Sequence, residues 1–81
     1  MADKKEMERD IVHFSASRDD WAAKAELAID KGREDLARGA LLAKQKCETE
    51  IGRRQEAIVI AEEAFSRRQE DLGKLQAKLD E

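Results

Sequence analysis

The stretch Lys31-Gly32-Arg33-Glu34-Asp35 decides how this chain folds. Glycine is the usual residue just past a helix end, because without a Cβ it adopts the left-handed backbone region at little cost. Lys31 is a base suited to the negative end of one helix dipole, and Glu34 and Asp35 are acids suited to the positive end of the next. The pentapeptide therefore predicts that one helix stops near residue 30 and another starts near residue 34. The competing expectation is one continuous helix of about 75 residues that pairs with another copy, since a lone glycine inside a helix costs only ~1 kcal/mol.

Working outward from the turn, helical periodicity runs almost to both ends. Before it, Met7, Ile11, Phe14, Arg18, Trp21, Ala25 and Ala28 recur at alternating spacings of four and three, the seam of a coiled coil with one charged interruption at Arg18. After it, Leu36, Ala40, Ala43 and Cys47 begin a second seam. Ile51, Arg54, Ile58, Ala61, Phe65, Arg68, Leu72, Leu75 and Leu79 continue it, and two consecutive steps of four at Cys47 read as a stutter. Gly39, Gly52 and Gly73 bring no other turn residues, so the second helix is read as unbroken. No segment alternates with period two. The predicted fold is all-α: a single domain over residues 1–81, forming a long antiparallel helical hairpin of the coiled-coil type. Its helices are unequal, roughly 3–30 and 34–79, about 40 Å and about 70 Å long, joined by a turn at 31–33. Folding back at Gly32 would pair Leu36 with Ala28, Ala43 with Trp21, Ile51 with Phe14 and Ile58 with Met7.

Composition agrees. With 81 residues, 43% of them charged, no proline and 4% aromatic, the chain makes at most one small domain of solvated helices. The net charge is −3, from 19 acids against 16 bases, and no basic face of the kind nucleic acid requires stands out. The densest basic spots, Arg53–Arg54 and Arg67–Arg68, lie among Glu50, Glu56, Glu70 and Asp71 and are read as solvated faces making i,i+4 pairs. The opening Met1-Ala2-Asp3-Lys4-Lys5-Glu6 is charged where a signal peptide would turn apolar. The longest apolar run, Ala57-Ile58-Val59-Ile60-Ala61, is far short of the roughly 20 residues that span a bilayer. With a single cysteine, these features predict a cytoplasmic protein, or a peripheral one on the cytoplasmic side of a membrane.

Two helices side by side make a seam rather than a pocket, so no enzyme activity, no catalytic residue, no metal and no cofactor is expected. His13, the only histidine, has Asp10 and Ser17 at helical spacing, a poor ligand set. Cys47 reads as a buried thiol acting as a small apolar residue. More informative are the apolar residues off the seam. Leu27, Ile29, Leu41 and Leu42 flank the turn, and Val59 and Ile60 form a second cluster. Either they widen the stripe that packs the hairpin, or they present a contact surface to another chain.

The blocks Trp21-Ala22-Ala23-Lys24-Ala25-Glu26-Leu27-Ala28, Gly32-Arg33-Glu34-Asp35-Leu36-Ala37-Arg38 and Ala40-Leu41-Leu42-Ala43-Lys44-Gln45-Lys46 resemble the phage shock protein A family. The shared pattern is W-x-x-K-A-E-x-A, then R-E-D-L-A-R-x-A-L, then K-Q-K. That family includes the vesicle-inducing protein of plastids and is related to the ESCRT-III-like membrane-remodelling proteins. The resemblance implies a long hairpin with its tip near the Gly-Arg-Glu-Asp stretch. It also implies a role in bacterial envelope stress: a parent protein peripheral on the inner membrane, polymerisation, and inhibition of an AAA+ transcriptional activator through the hairpin. Against the family, the chain opens at Ala2-Asp3-Lys4-Lys5, which is similar to the interior of the first hairpin helix. The amphipathic lipid helix, the start of that first helix and the C-terminal helices have no counterpart here, so weak lipid binding is expected.

The functional expectation is a regulatory and scaffold hairpin that self-assembles and contacts such an activator. Leu27, Ile29, Leu41, Leu42, Val59 and Ile60 are the candidate partner contacts. The alternative is a plain structural coiled coil that only spaces or dimerises. A membrane-surface helix would need a basic polar face, which Glu26, Glu48, Glu50, Glu62 and Glu63 oppose. The first helix can cover the second only to about residue 60. Phe65, Leu72, Leu75 and Leu79 are therefore expected to lack partners within the chain and to drive a homo-oligomer.

Overall fold

The first helix begins where an acid can cap it. Asp3 lies in the extended region and its side chain accepts a hydrogen bond from the Glu6 N–H at 2.8 Å, which satisfies one of the orphan donors at a helix start. The computed structural model describes residues 3–80; of the predicted domain, residues 1, 2 and 81 lie outside the described residues. It contains α1 (Lys4–Asp30) and α2 (Glu34–Leu79), and no strand among the described residues.

The turn is made as the pentapeptide predicts. Gly32 has φ of 70°. The Arg33 N–H donates to the Ala28 carbonyl at 2.8 Å and the Gly32 N–H to the Ile29 carbonyl at 3.0 Å. This pair of bonds is the Schellman arrangement, with glycine just past the cap. Lys31 is itself the cap rather than a last-turn base, while Glu34 and Asp35 do occupy the first turn of α2. The chain doubles back into an antiparallel hairpin 74 Å long and 18 by 16 Å across.

The seam buries Met7, Ala25 and Ala28 of α1 against Ala37, Ala40, Cys47 and Ile51 of α2. Ile11, Phe14, Arg18, Trp21, Ala43, Arg54 and Ile58 are half-buried along its edges. Two seam expectations are overturned, the place of Leu36 and the stutter at Cys47. Leu36 is 54% exposed, and Ala37 beside it is 5% exposed. Next to the turn the seam is lined by the methyl groups of Ala25, Ala28, Ala37 and Ala40, and a leucine is displaced to the flank of such a contact. Half-buried Lys44 also belongs to the seam, its stem lying along it and its ammonium 3.7 Å from Glu48. The seam of α2 is then Ala37, Ala40, Lys44, Cys47, Ile51, Arg54 and Ile58, spaced three and four throughout, so there is no stutter.

Four of the seven buried residues are alanine. Each contributes little, at ~0.8 kcal/mol per buried carbon group against roughly 1.5–3 for a larger side chain. Stability therefore rests on a few positions, Ile51 and Met7 foremost.

Candidate interaction surface

Two polar contacts pin the register. The Arg54 Nε donates to Asp10 across the hairpin at 3.1 Å, and its Nη1 donates to the Glu50 carboxylate at 2.6 Å and to the Glu50 carbonyl at 3.1 Å. The same guanidinium lies 4.6 Å from the centroid of the Phe14 ring, within cation–π range. Near the start of α1, Lys4 meets Glu62 at 2.7 Å. Both contacts fall within one helical turn of the register expected from folding at Gly32. An arginine on an apolar seam is tolerated here because its charge is met by two carboxylates while its flat face lies on an aromatic ring.

The Arg54 hydrogen bond favours the ionised form of Glu50 and holds its carboxyl below the ordinary 4.5. Glu50 and Asp10 in turn hold the Arg54 guanidinium above its ordinary value, and Glu62 does the same for Lys4. A carboxyl with a depressed folded-state pKa contributes stability that is full above its unfolded value and is lost as pH falls through the folded one. Wild type should therefore lose more melting temperature between about pH 6 and about pH 3 than Glu50→Gln does, all other carboxylates being common to both. Equal losses in the two proteins would show that this contact does not act in solution.

The candidate contact residues are all on the surface: Leu27, Ile29, Leu41, Leu42, Val59 and Ile60 are each about half exposed or more. They do not widen the buried stripe. The hairpin divides them between faces. Leu27 lines an open groove with Trp21, Leu36 and Ala40, whose charged rim is Lys24, Lys31 and Arg33. Ile29 and Leu41 lie together in another groove, beside Asp19 and Glu26. Leu42 lies further from the turn, with Phe14 and Lys46. Leu36 is a surface residue that sequence reasoning placed on the seam, and Trp21, with the Lys24 ammonium 4.5 Å from its ring centroid, belongs to the seam edge and the groove alike.

Cys47 is buried with a free thiol. His13 is exposed and lies edge-on to Phe14, ring centroids 6.4 Å apart. Among the described residues no group of three or more His, Cys, Asp and Glu side chains is placed to hold a metal ion, and no helix is long and apolar enough to cross a membrane. No family model matches the chain, and no solved structure matches it.

Proposed function

We propose that this hairpin is the regulatory and scaffold module of a bacterial envelope-stress protein of the phage shock protein A type. Its tip contacts an AAA+ transcriptional activator and its length serves self-assembly, with lipid contact lying outside the hairpin. The observation that carries this reading is the surface around the turn. The sequence blocks that resemble the family flank Gly32 on both sides, and within them Leu27, Leu36, Leu41 and Leu42 stand out in solvent. Leu27 and Leu36 line one groove with Trp21, and a contiguous exposed apolar surface of this kind marks a contact site where a plain spacer needs none.

The test is inhibition of a purified AAA+ activator of this stress class by the hairpin, read as ATPase rate. Leu41→Ala/Leu42→Ala should leave helicity unchanged, because both side chains are already exposed, and should weaken inhibition by about tenfold or more. A wild-type hairpin that does not inhibit, or a double variant that inhibits equally well, overturns the regulatory reading and leaves a structural spacer.

A further inference from the structure

The groove beside the turn carries charge of one sign. Trp21, Lys24 and Lys31 lie three and seven residues apart and so share one stripe of α1 and its cap, while Arg33 and Leu36, three apart, share a stripe at the start of α2. With Leu27 they line an open groove of about 330 Å³. Its floor is apolar: Trp21 is half-buried, and Leu27 and Leu36 are 56% and 54% exposed. Every charged side chain that lines it is a base. The other apolar surfaces mix their signs. The Ile29–Leu41 groove has Asp19 and Glu26 with Lys44, and the Phe14–Leu42 groove has Glu50 with Lys46 and Arg53. Phe65, Leu72, Leu75 and Leu79, exposed along the end of α2, also lie among charges of both signs.

The three bases are open to an incoming anion. Among the described residues Lys31 forms no ion pair. Lys24 lies 3.6 Å from Asp20 and Arg33 lies 3.9 Å from Asp35, with all four side chains more than half exposed. Exposed pairs of this kind are worth little and exchange readily for a better partner.

We propose that this groove is the docking site for an acidic peptide segment of a partner protein, one that carries a single bulky apolar anchor. The anchor lies on Trp21 between Leu27 and Leu36, and carboxylates on either side of it meet Lys24, Lys31 and Arg33. This deepens the reading of the tip as a partner contact, on which it rests, by naming the partner's chemistry. Charge complementarity selects the occupant and sets its orientation, and the aromatic floor supplies the anchor point. A groove at the small end of ligand sites admits one large side chain and its neighbours, so the contact with an isolated peptide is weak. An anionic membrane surface fits less well. A plane laid against the tip meets exposed Asp20, Asp30, Glu34 and Asp35 together with the bases, on a chain whose net charge is −3.

Trp21 is the only tryptophan, so its fluorescence reports on the groove itself. The probe is a synthetic peptide of about ten residues, glutamates around one central phenylalanine, an anchored acidic segment reduced to its elements. Added to the whole chain up to about 1 mM, a range that brackets weak association, it should shift Trp21 emission to shorter wavelength in a saturable way. The same peptide with lysine for glutamate, or with alanine for phenylalanine, should bind about tenfold more weakly or worse. Lys31→Glu/Arg33→Glu should reverse the preference and take the lysine peptide over the glutamate one. Circular dichroism checks that this variant keeps its helices. Lys31→Gln/Arg33→Gln, which adds no acid at the turn, should lose the glutamate peptide without gaining the other. A wild type whose Trp21 emission does not respond, equal binding of the acidic and basic peptides, or variants that bind as wild type does overturns the proposal. So does a Trp21 shift produced by anionic vesicles, or by raising the concentration of the chain alone, where the peptide produces none. The activator assay separates the two readings. Inhibition by a hairpin that takes no acidic peptide removes this inference alone, and peptide binding by a hairpin that does not inhibit removes the activator alone.

Discussion

Ile51→Ala is expected to destabilise the hairpin by about 3 kcal/mol, within the usual range for a buried isoleucine truncated to alanine. Ile51 is 7% exposed and is the one β-branched residue among the buried seven. For a chain of this size such a loss corresponds to roughly 12–24 °C in melting temperature. It also approaches the ~3–5 kcal/mol that a core this small supplies in total, so the variant should be partly unfolded at room temperature. Ile60→Ala is the control. Ile60 lies on the same helix with the same chemistry, but it is 59% exposed, and its truncation should move stability by less than about 0.5 kcal/mol. Urea unfolding followed by helical circular dichroism reads both. Equal effects at the two positions would mean that the seam does not run through Ile51.

The turn, the two helices and their register were legible in the sequence because each rests on local chemistry. Glycine at the left-handed position, acids in the following turn and a repeat of three and four all act within a few residues of one another. What was misread lies where size and periodicity disagree. Leu36 was placed on the seam because it is the first large apolar residue after the turn, and Ala37 was passed over because alanine carries little pattern. Near a tight turn the two backbones approach closely, and small side chains take the buried positions. Starting one residue early then forced a stutter onto a repeat that has none, and Lys44, whose charge disguises a seam position, was left out. The Asp10–Arg54 contact was a different kind of miss. Arg54 was recognised as a seam residue, but its acid lies on the other helix, 44 residues away, and becomes visible only once the chain is folded at Gly32 and read across. The division of the tip leucines between faces was likewise beyond a one-dimensional reading, because it depends on how the two helices are rotated about their own axes.

Glycine to alanine should change sign along this chain. Gly39 and Gly52 are exposed positions inside α2, and a Cβ added at either meets no atom within 4 Å. There alanine gains its full helix-propensity advantage of ~1 kcal/mol per site, so Gly39→Ala/Gly52→Ala should stabilise the hairpin by about 2 kcal/mol. At Gly32 a Cβ also meets nothing within 4 Å, yet φ is +70°. The strain there is in the backbone and not in a clash, since the left-handed region costs an L residue roughly 1–2 kcal/mol. Part of that is offset because alanine also restricts the unfolded chain, and Gly32→Ala should destabilise by about 1 kcal/mol. Gly73 is also open, but it lies in the exposed C-terminal part of α2, which can open without unfolding the paired region. Gly73→Ala should therefore raise helicity and leave the melting transition of the paired region in place. Thermal unfolding of the single and double variants reads all of these. The decisive comparison is Gly32 against Gly39. If Gly32→Ala stabilises as Gly39→Ala does, then residue 32 is helical in solution and the chain runs on as one rod instead of turning back on itself.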